Sequence, residues 1–219
     1  MAPAGQDRNG LPEIFPIFPL TGALLLPHGR LPLNVFELRY VAMTEDSLAA
    51  GRMFGMIQPD PGRPAGPTGP ATFRVGCLGR LTSFSETDDG RYLITLAGMA
   101  RFRVAEEVEM RRGYRRVRAD YTGFTDDLRP LRDDIGIARD DLVRELRAYF
   151  GRSGLDANWQ AIERMPDAKL VVTLCMVCPF GPPEKQALLE APTVQDRAQA
   201  LYALLRMGGR EGESDRIAS

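Results

Sequence analysis

The sequence predicts an α+β protein in which a mostly antiparallel, partly closed β-barrel with one helix is followed by a helical bundle. Three observations lead to this prediction. Short apolar runs bounded by Pro and Gly dominate residues 20–122, as in strands joined by tight turns. Within this half, residues 37–50 have helical spacing instead. Beyond residue 124 helical periodicity takes over completely.

The first half of the chain contains about seven predicted strands, each a short run bounded by Pro, Gly or Asp. They span residues 20–26, 31–36, 53–57, 73–86, 91–96, 100–107 and 114–121. Asp89-Gly90 predicts a hairpin turn, and Gly98 is expected to separate the strands on either side of it. Most of the connections are short, which favours antiparallel pairing.

Residues 58–71 are the exception, because this connection is long and contains five prolines and three glycines. That composition excludes a helix or a central strand and predicts a surface loop. The loop is either functional or merely slack, since long surface insertions cost little free energy.

The predicted helix near residues 37–50 carries apolar residues at helical spacing: Leu38, Val41, Ala42 and Leu48. We expect this face to pack in the core. Arg39, Tyr40 and Met43 are then left toward the flank of the helix.

The second half contains five predicted helices, of which the one containing the apolar run 170–178 is expected at the centre of the bundle. Thr193 and Asp196 resemble a capping box that opens the last helix. The predicted organisation is a disordered tail at 1–13, the barrel at 14–123, the helical bundle at 124–208 and a second disordered tail at 209–219.

The stretch from Phe18 to Tyr40, FPLTGALLLPHGRLPLNVFELRY, resembles the opening of the Lon protease N-terminal (substrate-binding) domain family. The family pattern is roughly FPL…LFPG…LPLHIFEPRY, from which this chain departs at Asn34 and Leu38. Further similarities follow at Gly90-Arg91-Tyr92, at Arg101-Phe102 and in the segment 184–190, so that the resemblance covers about residues 14–207. It implies a PUA-like pseudo-barrel followed by helices.

The resemblance also implies a function, namely non-catalytic binding of unfolded or peptide-like protein segments, as an adaptor or regulator of proteolysis. A protease or a chaperone would be the partner. No GxxxxGK[ST] motif occurs in the sequence, so the ATPase module of Lon proteases is absent from these 219 residues. They also leave no room for the Ser-Lys protease domain, and a free-standing binding domain is expected.

A peptide-binding site is predicted around the first helix, from residue type and from the role of the family. Tyr, Met and Arg side chains serve adaptable protein recognition. Binding would combine apolar contact with main-chain hydrogen bonds to an exposed strand edge. The predicted site residues are Glu37, Arg39, Tyr40, Met43 and Phe54.

An RNA-binding module is the alternative function, because arginines are concentrated on two neighbouring predicted strands and Arg suits phosphate contacts. The candidates are Arg101, Arg103, Arg115, Arg116 and Arg118, with Arg111 and Arg112 between them. Acidic residues such as Glu106, Glu107 and Glu109 are interleaved with them, which favours an ordinary solvated face. Nucleic acid is therefore the less favoured partner.

No cofactor, metal site or catalytic group is predicted. Cys175-Met176-Val177-Cys178 has redox or zinc spacing, yet it ends an apolar helix, where the helix dipole opposes a thiolate. A zinc site would also need Cys77 and His28. Burial of the cysteines as small apolar side chains is preferred. His28 is the sole histidine and lies in a predicted turn, which disfavours a hydrolase.

The composition favours a cytoplasmic protein. The chain has 28 basic and 29 acidic residues, so it has no overall attraction to nucleic acid or to an anionic membrane. It contains neither an apolar run long enough to span a membrane nor a secretory signal at its start. Three cysteines do not suit a disulfide framework.

Overall fold

The computed structural model describes residues 10–207 and divides the chain into two units after Pro130. The predicted boundary at 123/124 falls earlier, because a 3₁₀ helix at Thr125–Leu128 belongs to the first unit. The predicted tails at 1–9 and 209–219 lie outside the described residues. Residues 10–13 do not form a tail, since Leu11 is buried in the barrel core and the Tyr121 hydroxyl donates to the Pro12 carbonyl.

The first unit contains six strands and one helix. The elements are β1 (Ile14–Pro19), β2 (Arg30–Val35), α1 (Leu38–Ala49), β3 (Met53–Ile57), β4 (Val75–Glu86), β5 (Tyr92–Arg111) and β6 (Tyr114–Asp120). β1, β3, β4, β5 and β6 pair in that order, and β6 returns to β1, so the five strands form a closed ring. β1 and β3 are parallel, and the other pairs are antiparallel. The predicted mostly antiparallel barrel is confirmed.

β2 lies outside this ring. It pairs with the first part of β5, from Arg30↔Ala97 to Val35↔Tyr92. Among residues 10–207 no strand pairs with its other side. β2 therefore extends the barrel as an edge strand.

Two strand predictions are wrong. Residues 20–26 form no strand; Leu24, Leu25 and Leu26 are buried side chains of a loop, and β1 precedes them. Gly98 does not end a strand, because β5 passes through it without interruption. A Cβ atom at Gly98 would lie 1.9 Å from the Leu26 carbonyl oxygen, so glycine is needed for the close approach of this loop.

The barrel core is closed by aromatic and aliphatic side chains from opposite strands. Phe15 and Phe102 meet edge to face, with their ring centroids 4.9 Å apart. Ile17, Leu78 and Val117 are fully buried beside them. Close packing of this kind fixes the positions of the strands relative to one another.

The second unit contains five helices, as predicted. They are α2 (Arg139–Ser153), α3 (Trp159–Arg164), α4 (Asp167–Val177), α5 (Pro182–Glu190) and α6 (Val194–Met207). α4 is buried over most of its length, in keeping with its apolar sequence. The Thr193 hydroxyl accepts from the Asp196 N–H, and the Asp196 carboxylate accepts from the Thr193 N–H, which is the predicted capping arrangement.

Candidate functional site

The helix α1 presents a different face to the core than its apolar pattern predicts. Tyr40 and Met43 are buried, whereas Leu38 is 86% exposed. The Tyr40 ring stacks on Phe18 at a centroid distance of 4.0 Å, and the Thr44 hydroxyl, also buried, donates to the Tyr40 carbonyl. The aromatic contact and this local hydrogen bond allow a face with polar residues to be buried.

The predicted peptide-binding residues are therefore divided between the core and the surface. Tyr40, Met43 and Phe54 pack inside the first unit, and Met43 and Phe54 have no exposed area. Glu37 and Arg39 lie at the surface and form an ion pair of 2.8 Å. The Arg39 guanidinium also lies 4.6 Å from the centre of the Tyr40 ring. Core packing, rather than ligand contact, explains the three buried side chains.

Three exposed apolar side chains come from the junction of β2 and α1 and from the neighbouring strand β5, and we call them the Phe36 patch: Phe36, Leu38 and Leu93, which are 62%, 86% and 46% exposed. Leu93 is directly opposite Asn34 in the β2–β5 pair, and Phe36 follows Asn34 by two residues, on the same side of the sheet. The Arg91 guanidinium is 5.9 Å from the Phe36 ring centre. Exposed large apolar residues that lie close together mark binding surfaces.

The sequence does not predict this patch, because its apolar pattern assigns Phe36 to a strand and Leu38 to the core face of a helix. A signal was present in the order of residues, since apolar side chains on both sides of Glu37 occupy the junction between strand and helix. Such a junction cannot bury every side chain against one core.

The helix that carries Leu38 is held to the turn between β5 and β6 by charged groups. Arg112 pairs with Glu45 at 2.8 Å and with Asp46 at 3.0 Å. The buried Tyr114 hydroxyl donates to Asp46 at 2.6 Å. This hydrogen bond lowers the pKa of Asp46, while burial and the same contact raise the pKa of Tyr114 to about 12. These contacts tie the second half of α1 to the β5–β6 turn.

The loop 58–71 is ordered against β5 and β6. The Arg115 guanidinium donates to the Pro70 carbonyl at 2.7 Å, and the Thr68 hydroxyl donates to Glu107 at 3.1 Å. Arg115 and Glu107 also form an ion pair with each other. A cavity of about 380 Å³ lies between the loop and the two strands. The loop is therefore a structured part of the first unit.

The candidate RNA-binding arginines do not form a free basic surface. Arg101 is buried and paired with Asp127 at 2.8 Å, and Arg115 is buried and paired with the exposed Glu107. Arg118 is exposed and pairs with Glu106 at 2.7 Å; Arg103 is exposed near the Phe124 ring, and Arg116 is half-buried. Because carboxylates of the same chain already pair with several of these arginines, the arrangement does not favour phosphate binding.

The cysteines have the environment expected of small apolar side chains. Cys175 and Cys178 are buried, and loss of solvation raises the pKa of each thiol to about 12. His28 is exposed in a turn with φ 65°. In the described part of the chain no three His, Cys, Asp or Glu side chains are grouped as metal ligands. None of the described helices is long and apolar enough to cross a bilayer.

An edge strand and an exposed apolar patch on a closed barrel are features through which binding modules engage their ligands. The chain belongs to the ATP-dependent protease La (LON) substrate-binding domain family, whose family model matches residues 14–207. The resemblance found in the sequence is thereby confirmed, and the match is to this domain, which is non-catalytic.

Individual relatives agree with this assignment. The chain is 27% identical over 110 residues to Lon protease 2 from Myxococcus xanthus, covering 50% of this chain and 13% of that protein. It is 23% identical over 199 residues to Lon protease from Azorhizobium caulinodans, covering 90% of this chain and 23% of that protein. The chain thus spans less than a quarter of the length of these two relatives.

A solved structure confirms the α+β fold. The crystal structure of a Lon N-terminal domain protein from Xanthomonas campestris is similar at a TM-score of 0.58 and 25% identity, over 87% of this chain and 97% of that chain. The N-terminal domain of a Mycobacterium avium complex Lon protease has the same fold at a TM-score of 0.58 and 14% identity.

Proposed function

We propose that this chain recognises unfolded or peptide-like protein segments through the Phe36 patch and the adjoining Glu37–Arg39 ion pair. The observation that carries this proposal is the exposure of Phe36 and Leu38 at the start of a helix that ion pairs hold in place. Unfolded chains expose apolar side chains that folded proteins bury, so an apolar patch discriminates between the two.

The charged pair beside the patch contributes selectivity. Glu37 and Arg39 each have about half of their side chain exposed, so both remain accessible to polar groups of a ligand. Charged groups at the rim of an interface change encounter rate and specificity more than affinity. Apolar contact should therefore supply most of the binding free energy.

In the cell we infer a role in selecting protein segments for proteolysis, as an adaptor or regulator that works with a protease or chaperone. Family membership and the similarity to chains named Lon protease support this role.

The test is fluorescence anisotropy of a labelled, permanently unfolded protein titrated with the purified chain at low and high salt. The double variant Phe36→Ser/Leu38→Ser should raise the Kd at least 10-fold, since burial of each large side chain is worth about 1.5–3 kcal/mol. Leu128→Ser is the matched control, because Leu128 is also exposed in the first unit but lies outside the patch. An equal Kd for all three proteins would refute the proposed site.

A structured RNA serves as the second probe in the same assay. Binding to RNA alone, with a steep loss of affinity as salt increases, would replace the proposed function by the RNA-binding alternative.

A further inference from the structure

The free side of β2 carries main-chain groups whose direction follows from the pairing on its other side. The Gly98 N–H donates to the Gly29 carbonyl at 2.9 Å, and bonded pairs in an antiparallel ladder alternate. Leu31, Leu33 and Val35 therefore turn their main-chain groups toward β5. The alternate residues Arg30, Pro32 and Asn34 turn theirs outward, and all three are exposed.

Pro32 agrees with this alternation. Proline has no N–H group, and within a sheet it is tolerated where that group would point away from the ladder. The outward side of β2 thus offers an N–H and a carbonyl from Arg30 and from Asn34, but only a carbonyl from Pro32. Among residues 10–207 no hydrogen bond to these outward main-chain groups is observed. A strand added at this edge could therefore form every ladder hydrogen bond except the one that would need an N–H group at Pro32.

Among residues 10–207 the charge beside this edge is positive and has no carboxylate partner. Arg30, Ala97 and Arg80 are cross-strand neighbours and share the outer face of the sheet, where both arginines are exposed. Within the described part of the chain neither Arg30 nor Arg80 forms an ion pair, in contrast to Arg101, Arg112 and Arg115. An acidic side chain on a neighbouring strand would complement this charge.

The opposite end of the same edge is apolar. Phe36 follows Arg30 by six residues on the same face, which corresponds to about 20 Å of extended chain. Between them Leu31 and Leu33 are half-buried on the inner face, so that part of each side chain is open to a neighbouring strand. This edge of β2 is therefore basic at the Arg30 end and apolar at the Phe36 end, with the partly exposed Leu31 and Leu33 between them.

From this arrangement we propose that the recognised segment adds as an extended strand to the outer side of β2, with an acidic residue beside Arg30 and an apolar residue against the Phe36 patch. We assign the antiparallel orientation, which is the more stable one per residue. The apolar residue then precedes the acidic residue by about six positions in the segment. This inference rests on the proposed function and specifies the class of segment that is bound.

Backbone methylation of the ligand tests strand addition with the unaltered protein. The probe is a fluorescein-labelled peptide of Thr, Val and Ser with Leu near its start and Glu six residues later. One version carries N-methyl groups on the alternate amides that face β2, and its matched control carries them on the amides that face away. The first should weaken binding at least 10-fold, and the second about 2-fold or less.

Two substitutions in the protein test the edge itself. Pro32→Val restores the missing donor and should tighten peptide binding about 2- to 10-fold, a gain that side-chain docking alone would not produce. Arg30→Glu should weaken binding of the Glu peptide and favour a Lys version of it. Arg74→Glu is the control with the same charge change, at an exposed arginine outside β2.

The outcomes separate this inference from the proposed function. Equal binding of both methylated peptides, or no gain with Pro32→Val, overturns strand addition. If the unfolded protein is still bound through Phe36 and Leu38 in that case, the proposed function stands. Loss of binding to the unfolded protein and to every peptide overturns both.

Discussion

Removal of the Asp127 carboxylate should strongly destabilise the first unit. Asp127 accepts hydrogen bonds from the Arg101 main-chain N–H at 2.9 Å and from its guanidinium at 2.9 and 2.8 Å. The side chains of Arg101 and Asp127 are only 5% and 9% exposed. Asp127→Ala would leave the arginine charge buried with its main counter-charge removed.

The magnitude follows from the cost of an uncompensated buried charge. Breaking a buried pair by removing one partner typically costs about 3–5 kcal/mol. For amides of β5 that exchange through global opening, this loss corresponds to roughly 150- to 5,000-fold faster hydrogen exchange. Asp127→Ala/Arg101→Met should be less destabilised than Asp127→Ala, because the buried charge is removed together with its partner.

Hydrogen exchange measured by mass spectrometry on peptides from β5 is the appropriate assay, since it reports on the first unit directly. Asp126→Ala is the matched control: Asp126 and its partner Arg129 are 80% and 73% exposed, and such surface pairs contribute about 0–1 kcal/mol. If Asp127→Ala changes exchange in β5 no more than Asp126→Ala does, the buried pair is not the stabilising contact described here.

Three further predictions concern other parts of the chain. Gly98→Ala should lower the free energy of unfolding by about 3 kcal/mol or more, because its Cβ would meet the Leu26 carbonyl. Gly151→Ala, whose Cβ would meet no atom within 4 Å apart from its chain neighbours and the nearby backbone of α2, should instead raise it by about 0.5–1 kcal/mol. Equal effects of the two substitutions in denaturant unfolding would contradict this contrast. The pKa of Asp46 is lowered chiefly by the hydrogen bond from the Tyr114 hydroxyl. The ionised Asp46 carboxylate therefore stabilises the folded state at neutral pH, and this stabilisation is lost as the pH falls through the folded-state pKa. Asp46→Asn should therefore lower stability by about 1–2 kcal/mol near pH 7 and little at pH 2, and a constant difference across that range would argue against the linkage. The three buried cysteines should react with an aromatic disulfide reagent only on unfolding, and rapid reaction of the native protein would show an accessible thiol.

The sequence predicts the fold class well because the signals for it are local. Apolar runs separated by Pro and Gly indicate strands, and the change to helical spacing beyond residue 124 indicates the second unit. The errors occur where distant contacts decide the structure. Residues 20–26 have the apolar character of a strand, but they form none. The positions beside β3 and β6 in the sheet are occupied by β1, which precedes them in the chain. Periodicity contains no information on which of two apolar segments obtains a partner.

The candidate site is less predictable than the fold because the buried face of α1 is set by tertiary contacts, among them the stack of Tyr40 on Phe18. Spacing alone assigns Leu38 to the core, whereas the stack of Tyr40 on Phe18 turns the helix so that Leu38 points to solvent. The same contact thus leaves Leu38 exposed beside Phe36, which is the feature on which the proposed binding site is based. The five-stranded ring closes without β2, so among residues 10–207 one edge of β2, beside that feature, pairs with no strand. Both properties arise from contacts between distant parts of the chain, and variants of Phe36 and Pro32 test them separately.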